Sequence, residues 1–118
     1  MEVFQLIRKS KIEVLTNTAG EKDTVIFESA NTKEELLNKC SLFGRMTLKP
    51  GCRVGYHQHV GDIESYYIVS GKGIYTCEGI DTEVGSGDMA YCANGESHDL
   101  ICTGNEDLVV MALIVLDK

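Results

Sequence analysis

The chain has no tryptophan, a single proline and few basic residues. Among its 118 residues, 11 lysines and arginines stand against 18 aspartates and glutamates, which gives a net charge of −7. Nucleic-acid binding draws much of its affinity from basic side chains that neutralise phosphates, so this balance argues against a nucleic-acid partner. The same shortage of positive charge argues against docking on an anionic membrane surface.

Long apolar runs are also missing. The longest, LVVMALIVL at 108–116, is about half of what a helical membrane span requires. The first residues, MEVFQLIRKSK, place their basic side chains after a short apolar run, whereas a secretory signal has the opposite order. The five cysteines form no CxxC pair, which favours reduced thiols. We therefore expect a cytoplasmic protein with no membrane partner.

Glycine is plentiful where proline is scarce, with 12 glycines in the chain. From Cys40 onward, short segments rich in β-branched and aromatic residues alternate with glycine-containing turns, as in a β-sandwich or small barrel. GKG (71–73) is predicted to be a hairpin turn between two of these strands. We predict one all-β domain over residues 1–118, of jelly-roll type. The predicted strands are 24–29, 40–48, 64–70, 74–78, 82–84, 89–93, 98–103 and 108–116.

The first 40 residues differ from the rest. TVIFES (24–29) belongs to an N-terminal extension of the sheet. NTKEELLNK (31–39) predicts one short helix, because Thr32 and Glu35 have the spacing of a capping box and good helix formers lie between the ends.

The three histidines suggest where chemistry takes place. His57 and His59 stand at i and i+2, so both side chains project from one face of a strand. A turn at Gly61-Asp62 would let Glu64 begin the next strand and point back toward them. His98 follows a comparable glycine-containing turn, NGES. Three imidazoles and one carboxylate suit a divalent first-row metal with open coordination positions.

An interpretation without a metal stands beside this one. His57 and His59 would then be polar residues on an exposed strand face, and His98 would cap the start of a strand. Glu64 would be a surface carboxylate paired with Arg53 or a lysine. Asp62 competes with Glu64 for the fourth ligand position, although it lies in the turn.

The spacing of these residues resembles that of the cupins. Residues 51–71 match the first cupin motif, G-x5-H-x-H-x(3,4)-E-x6-G, without a gap. Residues 87–102 follow the second, G-x5-P-x-G-x2-H-x3-N, with Ala93 in place of the proline and Cys102 in place of the asparagine. The two motifs occur in order and use every histidine of the chain.

The resemblance implies a double-stranded β-helix with a six-stranded core barrel, usually as a homodimer. It implies one divalent metal ion per chain, with manganese, iron or zinc as first candidates and nickel, cobalt or copper as further ones. The apolar segments VFQLI (3–7) and LVVMALIVL (108–116) are candidates for strands at the dimer interface. The ligands implied for the metal are His57, His59, Glu64 and His98.

The function that the resemblance implies is a metal-dependent enzyme of the dioxygenase, decarboxylase or isomerase type, acting on a small oxygen-rich metabolite. A non-catalytic sensor or binding module is the alternative. Cupins of the oxalate-decarboxylase type carry an arginine three residues before the first ligand histidine. Here that position is Val54, and the adjacent Arg53 is expected to face the other way, which argues against oxalate itself.

Four more residues are candidates for lining the cavity. Tyr66 and Ile68 share a strand face with Glu64, although plain core packing explains them equally well. Arg45, on the preceding strand, is a candidate contact for an anion. Cys102 occupies the position of the family's asparagine, and the alternative for it is a small buried hydrophobic residue.

Overall fold

The computed structural model describes residues 7–16 and 24–118. Among these residues, no helix has the length and apolar character needed to cross a membrane. The ten strands are β1 (Lys11–Thr16), β2 (Thr24–Ser29), β3 (Cys40–Leu48), β4 (His57–Gln58), β5 (Asp62–Ser70), β6 (Lys72–Cys77), β7 (Ile80–Gly85), β8 (Met89–Cys92), β9 (Ser97–Cys102) and β10 (Leu108–Leu116).

The strands form two antiparallel sheets. One has the order β1-β2-β3-β10-β5-β8 and the other the order β4-β9-β6-β7. Some neighbours in a sheet are distant in sequence, as when β10 lies between β3 and β5. The predicted all-β jelly roll, with its extra N-terminal strands, is confirmed.

The core follows the pleat of the strands. In β5, Glu64, Tyr66 and Ile68 are buried while Tyr67 and Val69 are exposed, because successive side chains point to opposite faces. Leu48 of β3 and Leu100 of β9 are both fully buried in the same cluster as Ile68, which places the core between the two sheets.

The prediction of a hairpin at GKG is wrong. Strands β5 and β6 follow each other directly but belong to different sheets, so the chain crosses from one sheet to the other at Gly71. Gly71 has a φ of 90°, and a Cβ there would overlap with the backbone carbonyl of Asp107. The true partner of β6 in a hairpin is β7, joined by Glu78 and Gly79, which both have positive φ as a type I′ turn requires.

The predicted helix at 31–39 is also wrong. The capping-box contacts do form: the Thr32 N–H donates to Glu35 Oε1 at 3.0 Å, and the Glu35 N–H donates to Thr32 Oγ1 at 3.2 Å. The chain continues as successive turns and ends with Leu37 and Asn38 at φ near +57°, outside the right-handed helical region. A single turn gains too few hydrogen bonds to offset its nucleation, and the Leu37 side chain is left exposed.

Two segments, VFQLI (3–7) and LVVMALIVL (108–116), were predicted to form strands at a dimer interface. Residues 3–6 of VFQLI lie outside the described residues. Strand β10 is a central strand, so its backbone edges are already paired with β3 and β5. Only its outward-facing side chains are able to meet a partner.

Candidate metal centre

Two short elements and one turn bring the histidines and the glutamate together. Strand β4 pairs with β9 in a register that sets His57 directly opposite His98. His59 follows β4, and Gly61, with a φ of 80°, turns the chain into β5. Glu64 then points inward from β5 and is only 4% exposed. The predicted turn before Glu64 therefore exists.

The donor atoms of these four residues converge on one point. The Nε2 atoms of His57, His59 and His98 form a triangle with sides of 3.2, 3.0 and 3.1 Å. Glu64 Oε1 lies 3.1 Å from His59 Nε2 and 3.0 Å from His98 Nε2. Among the described residues, no contact of this length joins Glu64 to His57. The four residues form a cluster that could hold a metal ion.

This spacing can be compared with the geometry of metal ligands. Two nitrogens about 2.1 Å from one ion are about 3.0 Å apart at a right angle and about 3.4 Å apart at a tetrahedral angle. The observed contacts of 3.0–3.2 Å lie within this range, as expected of donor atoms that share one ion.

The outer ring nitrogens have partners that fix the tautomers. His57 Nδ1 lies 2.6 Å from the Gly55 carbonyl oxygen, and His59 Nδ1 lies 2.7 Å from Asp62 Oδ1. Both partners are acceptors, so each Nδ1 carries the hydrogen when the ring is neutral. The two Nε2 lone pairs then face each other, an arrangement that a shared cation relieves.

His98 is held in a similar way. Its Nδ1 lies 2.8 Å from the Tyr75 hydroxyl oxygen. Its ring stacks on Tyr66, with centroids 5.3 Å apart and planes inclined by 13°. His98 is fully buried, so these two tyrosines fix the orientation of the ring.

The Glu64 carboxylate is anionic although it is buried. Burial alone would raise the pKa of Glu64, but its contacts with the His59 and His98 rings bring it below its usual value. The hydrogen bond to Glu64, helped by Asp62, raises the pKa of His59 against the effect of burial. Burial lowers the pKa of His57. The result is an anionic carboxylate among three imidazoles, a set of ligands suited to a divalent cation.

Comparison with known proteins can now be set beside this geometry. Residues 44–115 match the family model Cupin_2, a cupin domain. The chain belongs to the cupin family. A curated relative, the oxalate-binding protein of Thermotoga maritima, is 41% identical over 113 residues, which are 94% of this cupin and 93% of the relative.

Solved structures support the same assignment. A predicted oxalate decarboxylase from Thermotoga maritima has a TM-score of 0.88 and 38% identity, and the match covers 95% of this cupin and 99% of that chain. The cupin domain of Cnp3 from Schizosaccharomyces pombe has a TM-score of 0.72 at 12% identity, over 94% of this cupin and 90% of that chain. The second likeness concerns the fold alone.

The four residues predicted to line a cavity lie in three different places. Tyr66 stacks on His98, so it contacts the cluster. Ile68 and Cys102 are buried in the hydrophobic core, and the Cys102 thiol lies 3.2 Å from the Glu106 carbonyl oxygen. Arg45 lies on the outer face of β3, where its guanidinium binds the Glu28 carboxylate at 2.8 Å.

Arg53 and Val54 face different surroundings. The Arg53 guanidinium donates from Nε to Asp99 Oδ2 at 2.8 Å, and Val54 packs against the hydrophobic core. Asp99, 2% exposed, also accepts hydrogen bonds from the backbone N–H groups of Gly55 and Leu100, each at 2.8 Å. Arg53 therefore anchors the loop that ends at His57.

The sequence analysis did not identify three residues that support the cluster. Asp62 was considered only as a competing ligand, although its place three residues after His59 is a usable signal. Tyr75 and Asp99 contact the cluster or its loop only because of strand register, and nothing in their local sequence indicates it.

Proposed function

We propose that this cupin holds one divalent metal ion through His57, His59, Glu64 and His98 and binds a small oxygen-rich metabolite at that ion. The observation that carries the proposal is the convergence of the four donor atoms, with the three Nε2 atoms 3.0–3.2 Å apart and Glu64 Oε1 at 3.0–3.1 Å from two of them. Manganese, iron and zinc accept this mixture of ligands, and so do nickel, cobalt and copper.

A bound divalent ion would supply a Lewis acid that polarises a carbonyl or carboxyl oxygen and offers coordination positions to it. The protein's part is to orient the ligands and to restrict water. Tyr66 and Tyr75, both buried, form the wall behind His98. His57 is partly exposed, so a metabolite would approach from its side of the cluster.

A chelating dicarboxylate of the oxalate type is the first ligand class to test. Four protein ligands would leave positions open on an ion that takes six, which suits a ligand that offers two neighbouring oxygens. The name of the Thermotoga relative supports the same class. Val54 supplies no positive charge, and Arg53 is engaged with Asp99, so binding would depend on chelation rather than on an arginine.

Enzymatic activity is the first candidate role, as a dioxygenase, decarboxylase or isomerase. One observation favours the second candidate, a non-catalytic binding module. Each carboxylate described at the cluster already has a partner: Glu64 and Asp62 contact His59, and Asp99 binds Arg53. None is left as an evident general base.

One experiment tests the metal and separates the two roles. Protein loaded with Mn²⁺, Fe²⁺ or Zn²⁺ is mixed with oxalate, malonate and α-hydroxy or α-keto acids, with and without oxygen. Calorimetry measures binding, and chromatography measures consumption of ligand. Binding with consumption supports an enzyme, and binding without consumption supports the module.

The matched variants are His57→Ala and His98→Ala, with Val60→Ala, an exposed neighbour of His59, as control. Elemental analysis is expected to find one equivalent of metal less in the histidine variants than in native protein and in Val60→Ala. The metal site is refuted if the native protein binds no divalent ion and gains no thermal stability from added metal.

We also propose that the cupin is a homodimer in the cytoplasm. The outward faces of β5 and β8 expose Tyr67, Val69, Met89 and Tyr91, which are 43–65% exposed. Tyr67 and Met89 are paired across the two strands, so the side chains form a continuous apolar patch. A second copy related by a two-fold axis would cover this patch with its own.

A further inference from the structure

A second group of metal-binding side chains lies beside the first. The donor atoms of Cys77, Cys92 and Glu96 all lie within 4.8 Å of one another. Cys77 ends β6 in one sheet, Cys92 ends β8 in the other, and Glu96 lies in the turn that leads into β9. The group therefore joins the two sheets at one end of the jelly roll.

Strand register explains why the two cysteines meet. Cys77 is the direct cross-strand partner of His98, and Cys92 is the direct partner of Glu64. Paired residues of an antiparallel sheet project to the same side. Since His98 and Glu64 converge inside the fold, the two thiols beside them converge as well.

The surroundings hold the three donors in place. The Ala93 N–H donates to Glu96 Oε1 at 2.8 Å, which folds the glutamate back over the turn. The Cys92 thiol, fully buried, lies 3.4 Å from the Glu96 carbonyl oxygen. Cys77 is partly exposed, which leaves a route from solvent.

We propose that Cys77, Cys92 and Glu96 form a second metal site, selective for a thiophilic ion such as Zn²⁺ or Cu⁺. Two thiolates and one carboxylate are soft and borderline ligands, and they differ from the imidazole-rich set of the first site. Three protein ligands leave a position for water or an added ligand. This site does not depend on the function proposed for the histidine cluster.

Binding is coupled to the loss of two protons. Each sulfur–metal bond forms as a thiol gives its proton to solvent, and no electrons are transferred. Burial raises the pKa of Cys92 to about 12 and also raises that of Cys77. Without the ion, both groups are therefore neutral thiols, poorly suited to attack an oxidant.

Tyr75 connects the two sites. Its hydroxyl lies 2.8 Å from His98 Nδ1, and Tyr75 and Cys77 stand at i and i+2 on β6, so both side chains project to the same face of the strand. If His98 Nδ1–H donates to the hydroxyl oxygen, the Tyr75 O–H is free to donate to the Cys77 sulfur. The same arrangement leaves His98 Nε2 without a hydrogen, so one set of hydrogen bonds suits ions at both sites.

Cadmium titration of the reduced, full-length protein without oxygen tests the proposal. Cd²⁺ bound to thiolates gives an ultraviolet charge-transfer band that imidazole and carboxylate ligands do not give. We expect the band to rise to a plateau, with two protons released per ion as measured with a pH indicator in weak buffer. The band should persist in His57→Ala, which alters only the first cluster.

The matched variants are Cys77→Ser and Cys92→Ser, with Cys40→Ser as the control. We expect the band to be lost in the first two and kept in the third. Glu96→Gln, which keeps the shape of the side chain, should weaken cadmium binding, and circular dichroism checks that each variant is folded. No band in native protein, or an unchanged band in folded Cys77→Ser, would overturn the proposal.

Discussion

Asp62 Oδ1 lies 2.7 Å from Nδ1 of His59, on the side of the ring away from Glu64. The carboxylate accepts the Nδ1 hydrogen and leaves Nε2 to face the centre of the cluster. Asp62 thus holds the His59 ring in the tautomer and orientation that a metal ligand needs, although it is not itself within the group of four donors.

Asp62→Ala is expected to weaken metal binding about 10- to 100-fold, since loss of such an outer partner usually has an effect of this size. Asp62→Asn keeps an acceptor oxygen and should lose less. Competition titration with a chromogenic chelator measures both. Asp117→Ala, an exposed aspartate, is the control, and equal affinity in Asp62→Ala and native protein would contradict the role given to Asp62.

Asp99→Ala is expected to destabilise the fold by about 2–4 kcal/mol, because it removes the acceptor of two backbone N–H groups and leaves Arg53 without its carboxylate. Urea denaturation measures the loss. Asp81→Ala is the comparison: its carboxylate is exposed and bonds only Thr76 among the contacts described here, so its effect should be much smaller. A similar loss in the two variants would contradict a structural role for the buried carboxylate.

The same network shows what sequence can and cannot predict. Strand β5 was predictable because pleating imposes alternation on a half-buried strand, and motif spacing identified His57 and His98 as neighbours. The contact of Asp99 with Gly55 depends on pairing between segments more than 40 positions apart, which no local pattern encodes. Strand β1 was not predicted, and its side chains at 11–15 are all exposed, so neither of its faces is buried.

The two wrong predictions have related causes. GKG has the composition of a hairpin, but whether β5 and β6 pair is decided by β10, β8 and β9, which occupy their edges. At 31–39 the capping box forms, yet Arg8 donates to Glu35 Oε2 at 2.9 Å, and no apolar face of the turn is buried well enough to extend it. In both places, contacts distant in sequence outweigh the local preference.

Gly71→Ala should destabilise the protein more than Gly79→Ala. Both glycines have positive φ, so each alanine carries a backbone cost on the order of 1–2 kcal/mol. A Cβ at Gly71 would also overlap with the Asp107 carbonyl, whereas a Cβ at Gly79 meets nothing within 4 Å. Thermal denaturation measures the difference, and equal effects would show that the crossing between sheets tolerates a side chain.

A charge placed in the apolar patch should disrupt the proposed homodimer. Tyr67→Glu and Met89→Lys each put one charge into the patch, where burial against a second copy would leave it unpaired. Light scattering after size-exclusion chromatography is expected to find a dimer for native protein and a monomer for these variants. Ile80→Lys, equally exposed but in the other sheet, is the matched control. A native monomer would refute the proposed homodimer. A dimer lost only in Ile80→Lys would place the interface away from β5 and β8.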